Sequence, residues 1–263
     1  FIFFIIGLIF GSFINVVVYR LNLAESFLVG RSKCPHCETQ IEWYDNVPLL
    51  SFILLKFRCR NCKEKISWQY PLVEFFTAVV FVLIGGKYFN AVDISTWGET
   101  LYYLGAASAL VTIFVYDFLY MEVPGLVLWP AIGWVIAFNL NFDWDWKYLE
   151  AGTLGTATHS GILAAFVAFI LFFLMVAVSK EKWMGMGDAY LVILLGLILG
   201  WPQILLALML AFTIGATVGI VLIVLKRKKM ESRVPFAPFL VLGTFIALFF
   251  YESIIDWYVR LFW

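Results

Sequence analysis

The sequence predicts an all-α polytopic membrane protein of about eight transmembrane helices, with a cytoplasmic zinc-binding loop domain between helices 1 and 2. Three observations predict it. Apolar residues make up 63% of the 263 positions and charged residues 14%, against roughly 45–50% and about 25% in soluble domains. The apolar residues gather into runs close to the ~20 residues that cross a bilayer, and mean hydropathy is +0.93. All four cysteines fall in one polar interval, as CPHC and CRNC.

The runs lie near 1–18, 70–88, 100–116, 122–140, 158–178, 188–200, 202–225 and 235–254. The first contains GLIFG (Gly7, Gly11), Ser12 and Asn15. Small and polar residues of this kind mark a helix packed on other helices rather than a cleaved signal peptide. The sixth run is short. Three segments follow: 1–18, the first transmembrane helix; 19–69, a cytoplasmic four-cysteine domain; and 70–263, a seven-helix membrane domain. No internal repeat or soluble tail is apparent. Net charge is zero, so nothing points to a nucleic-acid partner, and membrane lipid is the expected surrounding.

Orientation comes from the basic residues, because Lys and Arg stay cytoplasmic. With residue 1 outside, the inner loops hold Arg20, Arg31, Lys33, Lys56, Arg58, Arg60, Lys63 and Lys65. They also hold Lys180, Lys182, Lys226, Arg227, Lys228, Lys229 and Arg233. Only Lys87, Lys147 and Arg260 fall outside. The cysteine loop is therefore cytoplasmic.

Cys34 and Cys37 form one C-x-x-C pair and Cys59 and Cys62 the other. Such spacing lets each pair hold two corners of one tetrahedral ion. Structural zinc is the expected use; a dithiol redox pair and unliganded cysteines are the alternatives. The reducing cytosol disfavours disulfides. Four thiolates leave no open position, so the centre braces the loop and His36 is not needed as a ligand.

Ionisable groups within spans are costly and need a reason. Asp117 closes the third run and Asp188 opens the sixth. The charge-derived topology puts both at the cytoplasmic rim. Singly, Asp188 reads as a helix N-cap and Asp117 as a solvated helix end. Together they read as paired carboxylates. Two carboxylates about 4 Å apart repel by ~4 kcal/mol at an effective dielectric of 20, so one holds a proton while the other is charged. That is the division of labour of an aspartic protease, with one acid activating water and the other protonating the carbonyl oxygen. Gly185 and Gly187, in the supporting loop, are expected to adopt φ > 0 and let backbone approach an extended substrate. Glu74 and Glu122 read as helix-start acids suited to the dipole. His159 reads as structural, and no Ser–His pair is evident.

The motifs around these acids resemble a known family. GMGDAYL is similar to the GxGD signature of intramembrane aspartic peptidases. GSFINVVVYRL (Gly11–Leu21), the cysteine segment Ser32–Glu74, VYDFLYMEVP (Val115–Pro124) and PFAPFLVLG (Pro235–Gly243) resemble, in order, the type IV prepilin peptidases. The resemblance implies catalytic Asp117 and Asp188, and makes 70–263 the membrane aspartic peptidase domain. It implies cleavage of the short basic leader of a prepilin or pseudopilin, after a glycine, at the cytoplasmic face of a bacterial inner membrane. It also implies N-methylation of the new N-terminus with S-adenosylmethionine, an activity associated with 19–69. Gly125, Tyr190 and Ala237 depart from the family's usual Asp, Lys and Gly.

Glu25, Glu38, Glu42 and Asp45 are candidate partners for a basic leader, with solvated loop acids as the plainer reading. No glycine-rich nucleotide loop of the soluble type is present. Two other classes compete. A transporter would set its acids at mid-membrane beside broken helices, and a non-catalytic pilus or secretion assembly subunit would be indifferent to loss of either aspartate.

Overall fold

A computed structural model describes residues 1–27, 29–142, 157–225 and 234–262. Lys147, Lys226, Arg227, Lys228, Lys229 and Arg233, which enter the charge argument, lie outside the described residues. Among those described, regular structure is helical apart from two isolated bridges, Lys33 with Gln40 and Arg58 with Lys65. The chain divides into two compact units, Phe1–Val115 and Tyr116–Trp263.

The first unit is built on α1 (Ile2–Asn22) and α3 (Gln69–Tyr88), with the short α2 (Leu50–Leu54) between them. The two long helices run antiparallel at backbone contact. A Cβ on Gly7 would stand 2.5 Å from Ala78 Cα, and one on Gly11 2.6 Å from Glu74 Cα. GLIFG is therefore the face that lets α3 approach. Asn15, buried on the same side, donates to Gly11 O and Tyr70 O. The ends they share bracket the cysteine segment.

That segment contains a repeat that the sequence hides. Residues 32–41 and 57–66 make the same backbone turn, 25 positions apart. In the first, Cys34 N donates to Thr39 O, Glu38 N to Cys34 O and Ile41 N to Ser32 O. In the second, Cys59 N donates to Glu64 O, Lys63 N to Cys59 O and Ile66 N to Phe57 O. Glu38 and Lys63 take equivalent left-handed conformations, φ 56° and 61°. The expectation of no internal repeat is corrected here: side chains have diverged at most positions while the hydrogen-bond pattern is shared.

The helix α4 (Ser95–Tyr120) begins in the first unit and ends in the second, which continues with α5 (Gly125–Phe142), α6 (Ala157–Ser179), α7 (Met186–Leu199), α8 (Gln203–Val224) and α9 (Ala237–Phe262). Six of the eight apolar helices described are long and apolar enough to cross a membrane; Gly125–Leu140 and Met186–Leu199 are shorter. The sixth predicted run is thus the shortest, at 14 residues. It is also the central helix of its unit. Leu191, Val192, Leu194 and Leu195 are wholly buried. Gly196 has no room for a Cβ against the Ala165 backbone, and Gly161 packs on Leu197 O. Because α7 meets protein rather than lipid on almost every side, its length need not match the bilayer.

Candidate active site

Asp117 lies in the last turn of α4. Its carbonyl accepts the N–H of Met121 at 2.8 Å, and Met121, at φ 57°, ends the helix in the left-handed manner. Asp188 lies in the first turn of α7, where Gly185 is the N-cap. The two carboxylates come from separate helices of the second unit, and the charge of Asp117 acts directly on Asp188. Their residues are only 4% and 9% exposed. This corrects the two plainer readings. Asp188 is three residues past the N-cap rather than the N-cap itself, and Asp117 is not a solvated helix end.

Each carboxylate faces a helix N-terminal amide. The Gly185 N–H faces Asp188, which is the backward half of a capping box. The Ala237 N–H, first in α9, donates to Asp117. Helix N-termini leave their first amides without intrahelical partners and carry partial positive charge, so both serve buried carboxylates well. Oδ2 of Asp117 is buried and has no hydrogen-bond partner among the described residues. Buried polar atoms are usually paired; this lone pair is available to a reactant.

The glycines serve differently from expectation. Gly185 is extended at φ −79°, and Gly187 is helical; neither has positive φ. What Gly187 provides is proximity. A Cβ there would meet Val123 Cβ at 3.0 Å, pressing the turn that carries Asp188 against the α4–α5 connection. Tyr190, one turn into α7, lies against Trp129 and stacks on Phe169, with centroids 5.4 and 6.3 Å away. His159 is exposed and belongs to the opposite end of α6 from Asp188, since Gly161 meets Leu197 and Phe169 meets Tyr190. Glu122 sits in the α4–α5 connection, outside any helix start.

In the first unit the four cysteine sulfurs lie within 4.8 Å of one another. Cys34 Sγ and Cys62 Sγ are 3.9 Å apart. A tetrahedral zinc with Zn–S of about 2.3 Å spaces its sulfurs by about 3.8 Å, so the donor set fits a metal ion and none of these cysteines is in a disulfide. Thr39 holds the Cys37 thiol down to about 6 through its hydroxyl and backbone amide. The Glu64 amide pulls Cys62 down, but burial and the sulfurs of Cys37, Cys59 and Cys34 push it up to about 12. Without a cation one sulfur keeps its proton; a divalent ion removes that conflict.

Sequence reasoning missed three contributors. Ala237 acts through its main chain, Val123 acts by contact, and Glu74 acts as a latch. Glu74 is not in the first turn of α3. It is buried, and its Oε2 accepts the Leu49 N–H at 2.8 Å, with the Ser12 side chain also bonded to it. Leu49 is left-handed at φ 59°, so Glu74 fixes the strained turn that starts α2. An acid set five residues into an apolar helix was the only available signal. Of the loop acids, Asp45 is already committed, accepting two bonds of 2.6 Å from Arg60, which hold its carboxyl below the usual range. Glu42 faces Arg31 at 3.8 Å.

Fold and site together define a multi-pass membrane protein with paired carboxylates at two helix ends and a separate four-cysteine centre able to hold a metal. The chain belongs to the type IV leader peptidase family. The Bacterial Peptidase A24 N-terminal domain matches residues 5–88 and the Type IV leader peptidase family matches 104–220. Among curated relatives, the "Prepilin leader peptidase/N-methyltransferase" of Aeromonas hydrophila is 31% identical, covering 97% of this chain and 92% of its own. That of Bacillus subtilis is 29% identical over 99% and 98%, and that of Vibrio cholerae 35% over 76% and 77%. No solved structure matches significantly.

Proposed function

We propose that this chain is a membrane aspartic endopeptidase that removes the basic leader of a prepilin or pseudopilin after a glycine, and then N-methylates the exposed amine with S-adenosylmethionine. Asp117 and Asp188 are its catalytic pair. The observation that carries the peptidase reading is the burial of these two carboxylates, from separate helices, within direct electrostatic reach. A transporter would set such acids at mid-membrane beside broken helices; here one stands in the last turn of the unbroken 26-residue α4 and the other in the first turn of α7.

In the reaction one carboxylate takes a proton from water as the water oxygen bonds to the scissile carbonyl carbon. The other gives a proton to the carbonyl oxygen. Collapse of the tetrahedral species breaks the C–N bond, and the departing nitrogen receives the proton first taken from water. The pair titrates as a unit, so base and acid are roles of the pair. The Ala237 and Gly185 amides hold the carboxylates in place, and the free Oδ2 of Asp117 is where the reacting oxygen docks.

The cysteine centre is a structural zinc site that braces the cytoplasmic domain at 19–69, with the peptidase in 70–263. Lys180 and Lys182, on the loop that leads into Asp188, support placing the site at the cytoplasmic face of the inner membrane.

Mass spectrometry of a prepilin incubated with the purified enzyme and S-adenosylmethionine tests this. Wild type should cut after the leader glycine and add one methyl group to the new N-terminus. Asp117→Asn and Asp188→Asn should each lower cleavage by about a thousandfold or more. Full cleavage by either variant would refute the assignment.

A further inference from the structure

The two cysteine knuckles share a backbone but not a charge. Residues 32–41 carry Lys33 against Glu38, whereas residues 57–66 carry Arg58, Arg60, Lys63 and Lys65 against Glu64. The helix that leads into the second knuckle is unusual in its turn. In α2, Phe52 is buried and packs on Phe57 and Trp68. Leu50, Ile53 and Leu54, at spacings of three and four, share another face and are 53%, 63% and 70% exposed. Trp68, just before α3, is exposed as well. Contiguous apolar surface of this kind marks an interaction site.

A hydrogen bond fixes the height of that surface. The Leu49 amide donates to Glu74 Oε2 at 2.8 Å. Glu74 lies five residues, or about 7.5 Å, inside a helix long and apolar enough to cross a membrane. The start of α2 is thus pinned beside the start of a span, at the level of lipid headgroups. Five residues are too few to hold a bilayer alone, and the tether to Glu74 removes that need.

Next to the apolar face is a cleft of about 340 Å³, rimmed by Leu54, Lys56, Arg58 and Lys63. Arg60 also lines it, but its guanidinium is committed to Asp45 and lies over the Tyr44 ring. The other three cations are exposed and make no ion pair among the described residues. Lys56 and Lys63 stand at left-handed turns, φ 52° and 61°. Phe57 N donating to Phe52 O and Lys63 N to Cys59 O hold those turns in place.

We propose that α2 and the second knuckle form a docking face for an anionic phospholipid. Leu50, Ile53 and Leu54 enter the acyl region, and the phosphodiester sits between Lys56, Arg58 and Lys63. Charge complementarity selects this occupant. Arginine offers paired donors to a phosphate and lysine adds a point charge, and a polybasic segment beside a span is drawn to anionic lipid. The adjoining apolar face requires an anion joined to hydrocarbon, which a free phosphate is not. The assignment rests on neither reaction proposed above.

Photocrosslinking of the full chain tests it, with benzoylphenylalanine in place of Leu54 and nanodiscs of phosphatidylcholine containing a minority of phosphatidylglycerol. Mass spectrometry of the adduct should find lipid, with a phosphatidylglycerol-to-phosphatidylcholine ratio about fivefold or more above that of the nanodisc. Neutralising the rim by Lys56→Gln, Arg58→Gln and Lys63→Gln together should leave the lipid adduct but return the ratio to that of the nanodisc. The same probe at Val82, exposed on α3, should report the nanodisc ratio throughout. An adduct to protein instead of lipid overturns the docking face. So does a ratio at residue 54 that matches the nanodisc, equals that at residue 82, or survives neutralisation. Should the triple variant fail to fold, the wild-type comparison of residues 54 and 82 still decides.

Discussion

Gly187 lies directly against Val123: a Cβ on the glycine would stand 3.0 Å from Val123 Cβ and 3.1 Å from its Cγ2. The contact seats the first turn of α7, and with it Asp188, on the connection that follows Asp117. Gly187→Ala should gain helix propensity yet displace that turn by a few tenths of an ångström. Leader cleavage should fall about tenfold or more, since small misplacements of reacting groups are costly. Val123→Ala added to Gly187→Ala should restore much of the rate. Additive losses in the double variant would argue against the contact.

Ala237→Pro removes one N–H and leaves the helix start intact, because proline is well tolerated at the first helical position. The lost donor faces Asp117. A hydrogen bond to a charged group is worth about 1.5–3 kcal/mol, so cleavage should drop by roughly 10- to 100-fold with the protein still folded. A steady-state assay beside a thermal melt separates the two effects; an unchanged rate would show that the amide is dispensable.

Metal analysis of the purified chain should find one zinc per molecule. Cys34→Ser or Cys59→Ser should reduce it well below one, because each knuckle supplies only half of the tetrahedron. Chelation should open the segment between the knuckles to protease. Persistent full occupancy in a single-cysteine variant would place the metal elsewhere.

Glu74→Leu should release the Leu49 amide that Glu74 Oε2 accepts at 2.8 Å. A buried donor left without a partner costs about 1–3 kcal/mol. Hydrogen exchange over residues 49–54 should therefore quicken by about 5- to 150-fold. Unchanged protection would mean that α2 is held by packing alone, through Phe52 against Phe57 and Trp68.

Several features are legible in the sequence because their causes are local. Two C-x-x-C pairs fold as knuckles wherever they stand, and an acid at the edge of an apolar run is conspicuous. The Gly7–Gly11 pair likewise announces a close helix neighbour. Ala237 was illegible because any residue but proline has the same amide; its role comes from where α9 begins in space. The glycine before Asp188 suggested left-handed backbone, whereas the tertiary contact with Val123 is what excludes a side chain at Gly187. The knuckle repeat escaped notice because a shared hydrogen-bond pattern tolerates Lys33 for Arg58 and Gln40 for Lys65.

Helix α7 also has a consequence for the supply of reagent. At 1.5 Å per residue its 14 residues reach about 21 Å, against about 30 Å of hydrocarbon. An unsupported helix of that length would thin the surrounding lipid. This one is jacketed by protein, and the exposed Lys180, Glu181 and Lys182 come just before it. The missing turns thus bring hydrated chain to within one helical turn of Asp188. Hydrolysis consumes one molecule that a bilayer does not provide, and a helix that stops short keeps its first turn, with Asp188, next to the polar chain that precedes it.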